Sequence, residues 1–174
     1  KGRIFPLGGI SNITTTIGNE SGYYPIIEMD EHGFNNPKEL YKKNKVDIIL
    51  TGDSFTEGYS VNSDENIGSF LRETGYKTLN FGKGGNGPLI ELATLKEYAE
   101  PLQPKVVLWF YYENDLYDLI KDVGGEIYSP LMQYLNEDDY SQNLIARQEE
   151  IDRVWINFIQ EGRGMDNNRK VKEI

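Results

Sequence analysis

The stretch DIILTGDSFTEG, residues 47–58, decides the fold of this chain. It begins within a short apolar run, residues 46–51, that is rich in β-branched residues and leads directly into Gly52. A run of this kind entering a glycine turn is typical of a buried strand in a parallel sheet. The next residues are Asp53 and Ser54. The stretch therefore predicts a strand that delivers a serine to one edge of a sheet.

The rest of the chain alternates strands with helices. Two more strands are predicted over 78–81 and 105–112, and three helices over 66–73, 88–100 and 140–160. This alternation indicates βαβ units, and hence an α/β fold with a parallel sheet and helices on its faces. The last strand, KVVLWFYY, is the most apolar, and we expect its aromatic run at 109–112 to lie in the core.

The predicted organisation is one domain with irregular ends. Residues 1–45 read as an irregular lead-in with an N-terminal strand, 46–162 as the α/β core, and 163–174 as a polar tail. A chain of 174 residues is long enough to bury a core of its own.

Composition excludes several classes of function. Asp and Glu number 28 against 18 Lys and Arg, giving a formal charge of −10, which argues against nucleic acid as the main partner. Without cysteine there can be no disulfide, thiolate metal site or cysteine nucleophile. With one histidine and no regular carboxylate loop, neither a metal nor another cofactor is predicted. No apolar run reaches the length of a membrane span, but the chain begins at Lys1, so an anchor outside it stays open.

Three loops should meet at one edge of the sheet, because the carboxyl ends of parallel strands lie together and ligands bind there. The three strands deliver residues 52–56, 80–87 and 113–115. Acyl transfer by a serine needs an exposed hydroxyl and donors aimed at the developing oxyanion. Here the Ser54 N–H, a glycine N–H of the second loop and the Asn114 amide are candidate donors. Gly52 would allow the sharp turn, and Asp53 would hold it by accepting loop N–H groups.

The segments GDSFTEG, NFGKGG and END resemble the first three blocks of the SGNH, or GDSL, hydrolase superfamily. Matched by position, the resemblance implies Ser54 as nucleophile and an oxyanion hole made by Ser54, Gly85 and Asn114. It also implies a flavodoxin-like three-layer α/β/α fold that hydrolyses or transfers ester-linked acyl groups. The substrate would be a small-molecule or glycan ester, on a carbohydrate or lipid. The approach DEHGFNNP is similar to lead-ins of bacterial envelope members that act on glycans, which implies an envelope location.

The fourth block of that family, D-x-x-H, supplies the base and its orienting carboxylate, and it does not occur here. We expect a chain truncated at its C-terminus, while a complete domain without the usual base remains the alternative. Another departure is Glu113, where the family has glycine. The histidine present, His32, precedes the first core strand and is expected to be a turn or surface residue rather than a stand-in base.

Two plainer interpretations stay open beside the hydrolase. Ser54 can be only a polar residue in a tight turn. The whole chain can be a non-catalytic SGNH-like module that binds a glycan or a protein partner.

Overall fold

A computed structural model describes residues 4–20, 22–42, 45–123 and 130–170. It has a three-stranded parallel sheet flanked by helices, as in a flavodoxin-like fold, and so confirms the predicted α/β class. A two-stranded antiparallel hairpin precedes the sheet. Among the helices described, none combines the length and the apolarity needed to cross a bilayer.

The elements follow the predicted alternation. The strands are β1 Thr14–Thr16, β2 Ile26–Glu28, β3 Ile48–Gly52, β4 Thr78–Asn80 and β5 Val106–Phe110. The helices are α1 Ser54–Glu57, α2 Ile67–Glu73, α3 Pro88–Thr94, α4 Asp115–Val123, α5 Pro130–Asn136 and α6 Gln148–Lys170. Helix α3 continues through a wider π turn, Leu95–Ala99, and a 3-10 turn, Glu100–Leu102, so its predicted extent is nearly right.

Strand β3 lies in the middle of the sheet, whose order is β4-β3-β5. Ile48 pairs with Thr78 on one side and with Val106 on the other. Every residue of β3 is buried, as the apolar run predicts. Of the three strands in this sheet, β3 comes first in the sequence, and β4 and β5 pair with its two sides. The order of strands therefore reverses between β3 and β5. In α/β proteins, ligands bind at such a switch point.

The core packs the sheet against α3, α5 and the first turns of α6. Its fully buried members include residues from both ends of the described chain, so the lead-in is part of the core. They include Leu7, Phe34, Ile49, Leu79, Phe81, Tyr98, Tyr134, Leu144 and Ile151.

The irregular lead-in is held by hydrogen bonds rather than by regular structure. The buried carboxylate of Asp30 accepts the N–H groups of His32 and Phe34 at 2.8 and 3.0 Å. Helix α6 holds the lead-in from the other side, because the Trp155 indole N–H donates to the Gly8 carbonyl at 2.9 Å. The predicted lead-in is therefore irregular but well packed.

The outer edge of β4 is closed by side chains. The Asn36 amide oxygen accepts the Asn80 N–H at 2.8 Å, and its nitrogen donates to the Asn80 carbonyl at 2.9 Å. Arg72 donates to the neighbouring outward carbonyl, that of Thr78, at 3.1 Å. These side chains satisfy backbone groups that another strand would otherwise pair, which is one way an edge strand is protected.

The outer edge of β5 is open, and the prediction that the aromatic run lies in the core is wrong. Trp109 is 56% exposed and Tyr111 is 52% exposed. Alternate residues of β5 face β3, so the backbone groups of Val107 and Trp109 point outward, and no hydrogen bond among the described residues uses them. The strand is apolar, yet nothing described covers its edge.

Helix α6 begins later than predicted, at Gln148 rather than near residue 140. The preceding chain turns to satisfy the buried carboxylate of Glu97, which accepts the backbone N–H groups of Gln142 and Leu144. The helix then continues to Lys170, past the predicted boundary at residue 162. Helices α4 and α5 lie in a stretch for which the sequence pattern predicts no helix.

Replacing Asn36 by alanine should destabilise the protein by about 3 kcal/mol, because it leaves the buried N–H and C=O of Asn80 without partners. Urea unfolding at neutral pH measures the change. Asn19→Ala is the matched control: this exposed side chain should give a change within about 0.5 kcal/mol. Equal stabilities of the two variants would contradict the role given to Asn36.

Candidate functional site

The turn after β3 has room only for glycine at Gly52. A Cβ atom there would lie 2.2 Å from the Thr56 hydroxyl oxygen and 2.8 Å from the Phe110 carbonyl oxygen. Both are impossible contacts, and the φ of +155° at this residue is one that other residues rarely adopt. Gly52 therefore lets β3 end in contact with β5 and α1, which sets where the next residues lie.

Asp53 and Ser54 start the short helix α1. The buried Asp53 carboxylate accepts the Phe55 N–H at 3.0 Å and so caps the helix, which is the turn support expected of it. Ser54 is the first helical residue, and its side chain is half-buried. No hydrogen bond among the described residues uses the Ser54 N–H or its hydroxyl, so both are available to a ligand.

The glycine-rich loop after β4 packs directly on this turn. The Asn80 amide donates to the Thr56 carbonyl at 2.5 Å, and the Lys83 N–H donates to the Gly52 carbonyl at 3.2 Å. The approach is so close that a Cβ on Gly82 would lie 2.5 Å from the Glu57 backbone nitrogen. The first two predicted loops therefore meet, as the parallel topology requires.

Ser54 and Gly85 line one cleft. Its other walls come from Glu57, Lys83 and Gly84 of the same two loops, with Tyr59 beside them. Gly85 is exposed at a φ of +81°, and among the described residues its N–H has no partner. The structure thus brings together two of the three residues named for the oxyanion hole.

A second, more apolar cleft adjoins Ser54 on its other side. It is lined by Phe55, Val61 and Ile67, with Glu20 and Glu65 at its polar walls. Ser54 lies where the two clefts meet, because it lines both.

The third loop places Asn114 beside the turn but ties up its amide. The amide nitrogen donates to Asp118 at 3.0 Å and to Asp53 at 3.4 Å. An amide nitrogen carries two hydrogens, so both are directed at carboxylates in this structure. Asn114 therefore contacts the residue that precedes Ser54, and its amide donors are engaged by carboxylates.

Burial and neighbouring charges shift the pKa values of the groups around the turn. Burial raises the pKa of the Glu57 carboxyl, against the lowering effect of the Lys83 charge and the Gly84 N–H. Burial lowers the pKa of Lys83, against the raising effect of Glu57. The pKa of Asp115 is also raised, chiefly by burial and further by the charges of Asp53 and Asp118. Glu57 and Lys83 line the cleft at Gly85, and perturbed groups in a cleft are a common mark of functional sites.

His32 lies apart from Ser54. Its ring contacts those of Tyr41 and Tyr98, with centroids 4.7 and 5.5 Å apart, and its Nδ1 lies 3.3 Å from the Gln148 amide oxygen. Among the described residues, none of these contacts of His32 involves Ser54. His32 is a buried packing residue of the DEHGFNNP turn, which gives no support to a role as stand-in base.

Sequence reasoning missed Glu57. Its carboxylate accepts the Gly84 N–H at 2.7 Å and so joins the first loop to the second. The available signal was its spacing, since a residue three after Ser54 on a helical turn lies on the same side of the helix. No group of His, Asp and Glu in the described part of the chain could hold a metal ion.

Comparison with family models, with curated proteins and with solved structures finds no match to this chain.

Gly82→Ala should cost about 3 kcal/mol, because its Cβ would overlap the backbone of α1 and displace the glycine-rich loop. Gly75→Ala is the control: its φ is +95°, but no atom lies within 4 Å of an added Cβ, so backbone strain alone should cost about 1 kcal/mol. Chemical denaturation of both variants measures the difference. Equal losses of stability in the two variants would show that the close contact at Gly82 does not account for the cost of its substitution.

Proposed function

We propose that this chain carries the nucleophile and the oxyanion donors of an SGNH-type serine hydrolase acting on ester-linked acyl groups. The position of Ser54 is the observation that supports this proposal most directly. It follows the central strand at the switch point of the sheet, with a free hydroxyl in a cleft shared with Gly85. The substrate is an O-acyl group on a carbohydrate or lipid.

In the proposed reaction, the Ser54 oxygen attacks the acyl carbonyl carbon and its proton passes to a base. The N–H groups of Ser54 and Gly85 donate to the oxygen that becomes negative. Collapse of the tetrahedral intermediate breaks the ester C–O bond, and the leaving alcohol takes the proton from the base. Water then hydrolyses the acyl-enzyme in an esterase, whereas a sugar hydroxyl accepts the acyl group in an O-acyltransferase.

Asn114 can join this oxyanion hole if its planar carboxamide rotates about the Cβ–Cγ bond far enough to release one carboxylate. The bond to Asp53, at 3.4 Å, is the longer and weaker of the two, so it is the one to break. The bond to Asp118, at 3.0 Å, would meanwhile keep the side chain in place.

The apolar cleft beside Ser54 offers a place for the acyl chain. Phe55, Val61 and Ile67 form its apolar wall, whereas the cleft at Gly85 has the charged groups of Glu57 and Lys83 among its lining residues. We therefore place the acyl chain on the Phe55 side and the alcohol on the Gly85 side.

The proposal assigns the base to a histidine outside this sequence, in keeping with the resemblance to a family whose base lies in a D-x-x-H block. Within the described residues no histidine contacts Ser54. The 174-residue chain alone should therefore turn over esters very slowly.

A non-catalytic SGNH-like module that binds a glycan or a protein is the second candidate. The observation that favours it is the Asn114 amide, both of whose hydrogens are occupied by carboxylates. The two candidates differ in whether Ser54 reacts covalently.

The test is labelling of the 174-residue chain by a fluorophosphonate, with the modified residue located by mass spectrometry. Labelling of Ser54 should be slow alone and about 10- to 100-fold faster with added imidazole, which replaces the missing base. Ser54→Ala should abolish labelling, whereas Thr14→Ala, which removes an exposed hydroxyl in β1 outside both clefts, should not change it.

Two outcomes would contradict parts of the proposal. No imidazole-dependent labelling of Ser54 would favour the binding module. In the other outcome, the chain alone turns over p-nitrophenyl acetate fast and loses this activity in Ser54→Ala. That result would show that a base is already present and would make His32 the candidate base.

A further inference from the structure

Glu57 is a buried acid that the proposed reaction does not use. Its side chain is 5% exposed, and it lies at the end of α1, three residues after Ser54. Residues three apart on a helix are neighbours on one side, and both residues line the same cleft. A charged group in this position is the feature next to the nucleophile that most needs an explanation.

Keeping a carboxylate here is costly. Transfer of a charged group out of water is unfavourable unless hydrogen bonds and opposite charge compensate it. Burial raises the pKa of Glu57, and the negative charge of Asp53 adds to the effect. The positive charge of Lys83 and the Gly84 N–H favour the ionised form. An apolar residue of similar size would fill the space at lower cost, so packing alone does not account for Glu57.

The group that Glu57 holds is the backbone of the glycine-rich loop. Its Oε2 accepts the Gly84 N–H at 2.7 Å. A Cβ on Gly84 would lie 3.2 Å from that oxygen and 3.6 Å from the Ser54 Cβ, so the Gly84 main chain packs between the two side chains. Gly84 directly precedes Gly85, the proposed oxyanion donor, and no atom lies within 4 Å of the place that a Cβ on Gly85 would take.

Lys83 completes this arrangement. Its N–H donates to the Gly52 carbonyl at 3.2 Å, which fixes the residue before Gly84. Its ammonium lies 5.6 Å from the centre of the Trp155 ring, in a cation–π contact with α6. The ammonium group that favours the ionised form of Glu57 thus contacts a partly buried ring of α6 that packs against the core.

We propose that Glu57, supported by the charge of Lys83, is a positioning residue that fixes the Gly84–Gly85 backbone against Ser54 and so aims the Gly85 N–H. The catalytic part of this inference rests on the proposed function. The positioning of the loop does not, because it concerns a hydrogen bond that can be measured in the absence of any substrate.

Amide hydrogen exchange of Gly84, followed by NMR on the 174-residue chain, tests the positioning directly. In the wild type this amide should be protected, and Glu57→Ala should raise its exchange rate about tenfold or more through loss of a bond to a charged acceptor. Glu57→Gln keeps a carbonyl acceptor and should restore part of the protection. Glu73→Ala, which removes an exposed carboxylate at the end of α2, outside both clefts beside Ser54, is the control and should leave Gly84 unchanged.

The same variants are then labelled at Ser54 with the fluorophosphonate in the presence of imidazole. Glu57→Ala should slow labelling about tenfold, with partial recovery in Glu57→Gln and the wild-type rate in Glu73→Ala. Circular dichroism checks that each variant is folded, and the glutamine variant keeps the test available if the alanine variant is not.

Each outcome decides something different. Unchanged Gly84 exchange in folded Glu57 variants would overturn the positioning role. Faster exchange with an unchanged labelling rate would overturn its link to the reaction. If Gly84 exchanges faster in the Glu57 variants but Ser54 of the wild type is never labelled, the positioning of the loop is supported and the proposed hydrolase is refuted.

Discussion

The close packing at Gly52 is the constraint on which the rest of the structure depends. The central strand ends there against the Phe110 carbonyl of β5 and the Thr56 hydroxyl of α1, with no space for a Cβ. The Gly52 carbonyl also accepts the Lys83 N–H of the glycine-rich loop. One residue thus joins the ends of all three parallel strands, and a larger side chain would separate them. Because Ser54 lies two residues later, its position relative to the other loops is set by this contact.

The two edge strands of the sheet differ in whether their outward backbone groups have hydrogen-bond partners. At β4, the Asn36 amide satisfies both outward groups of Asn80, so the lead-in segment takes the place of another strand. At β5, the outward backbone groups of Val107 and Trp109 have no partner among the described residues, and apolar side chains of the strand are exposed. Apolar composition was a sound guide to strand formation at β5 but a poor guide to burial, because burial depends on what packs against a strand.

Some features of the candidate site could likewise be predicted from the sequence, and others could not. The convergence of Ser54 and Gly85 could be predicted because the topology of parallel strands brings their ends together. The state of Asn114 could not, since it depends on the Asp53 carboxylate, 61 residues away along the chain, as well as on that of Asp118. Glu57 was missed for a related reason: its importance lies in a bond to Gly84, 27 residues away along the chain. The late start of α6 likewise follows from Glu97, a buried carboxylate that draws residues 142–144 out of the predicted helix.

The amino-acid sequence by itself determined the alternation of strands and helices, the glycine turn after the first core strand, and the placing of a serine at that turn. These follow from local periodicity and from backbone sterics, which act over a few residues. Tertiary structure alone decided which edge of the sheet is closed, where the Asn114 donors point, and that a buried Glu57 holds the loop beside Ser54. These depend on hydrogen bonds and on burial between segments far apart in the chain, and local sequence pattern carries no record of either.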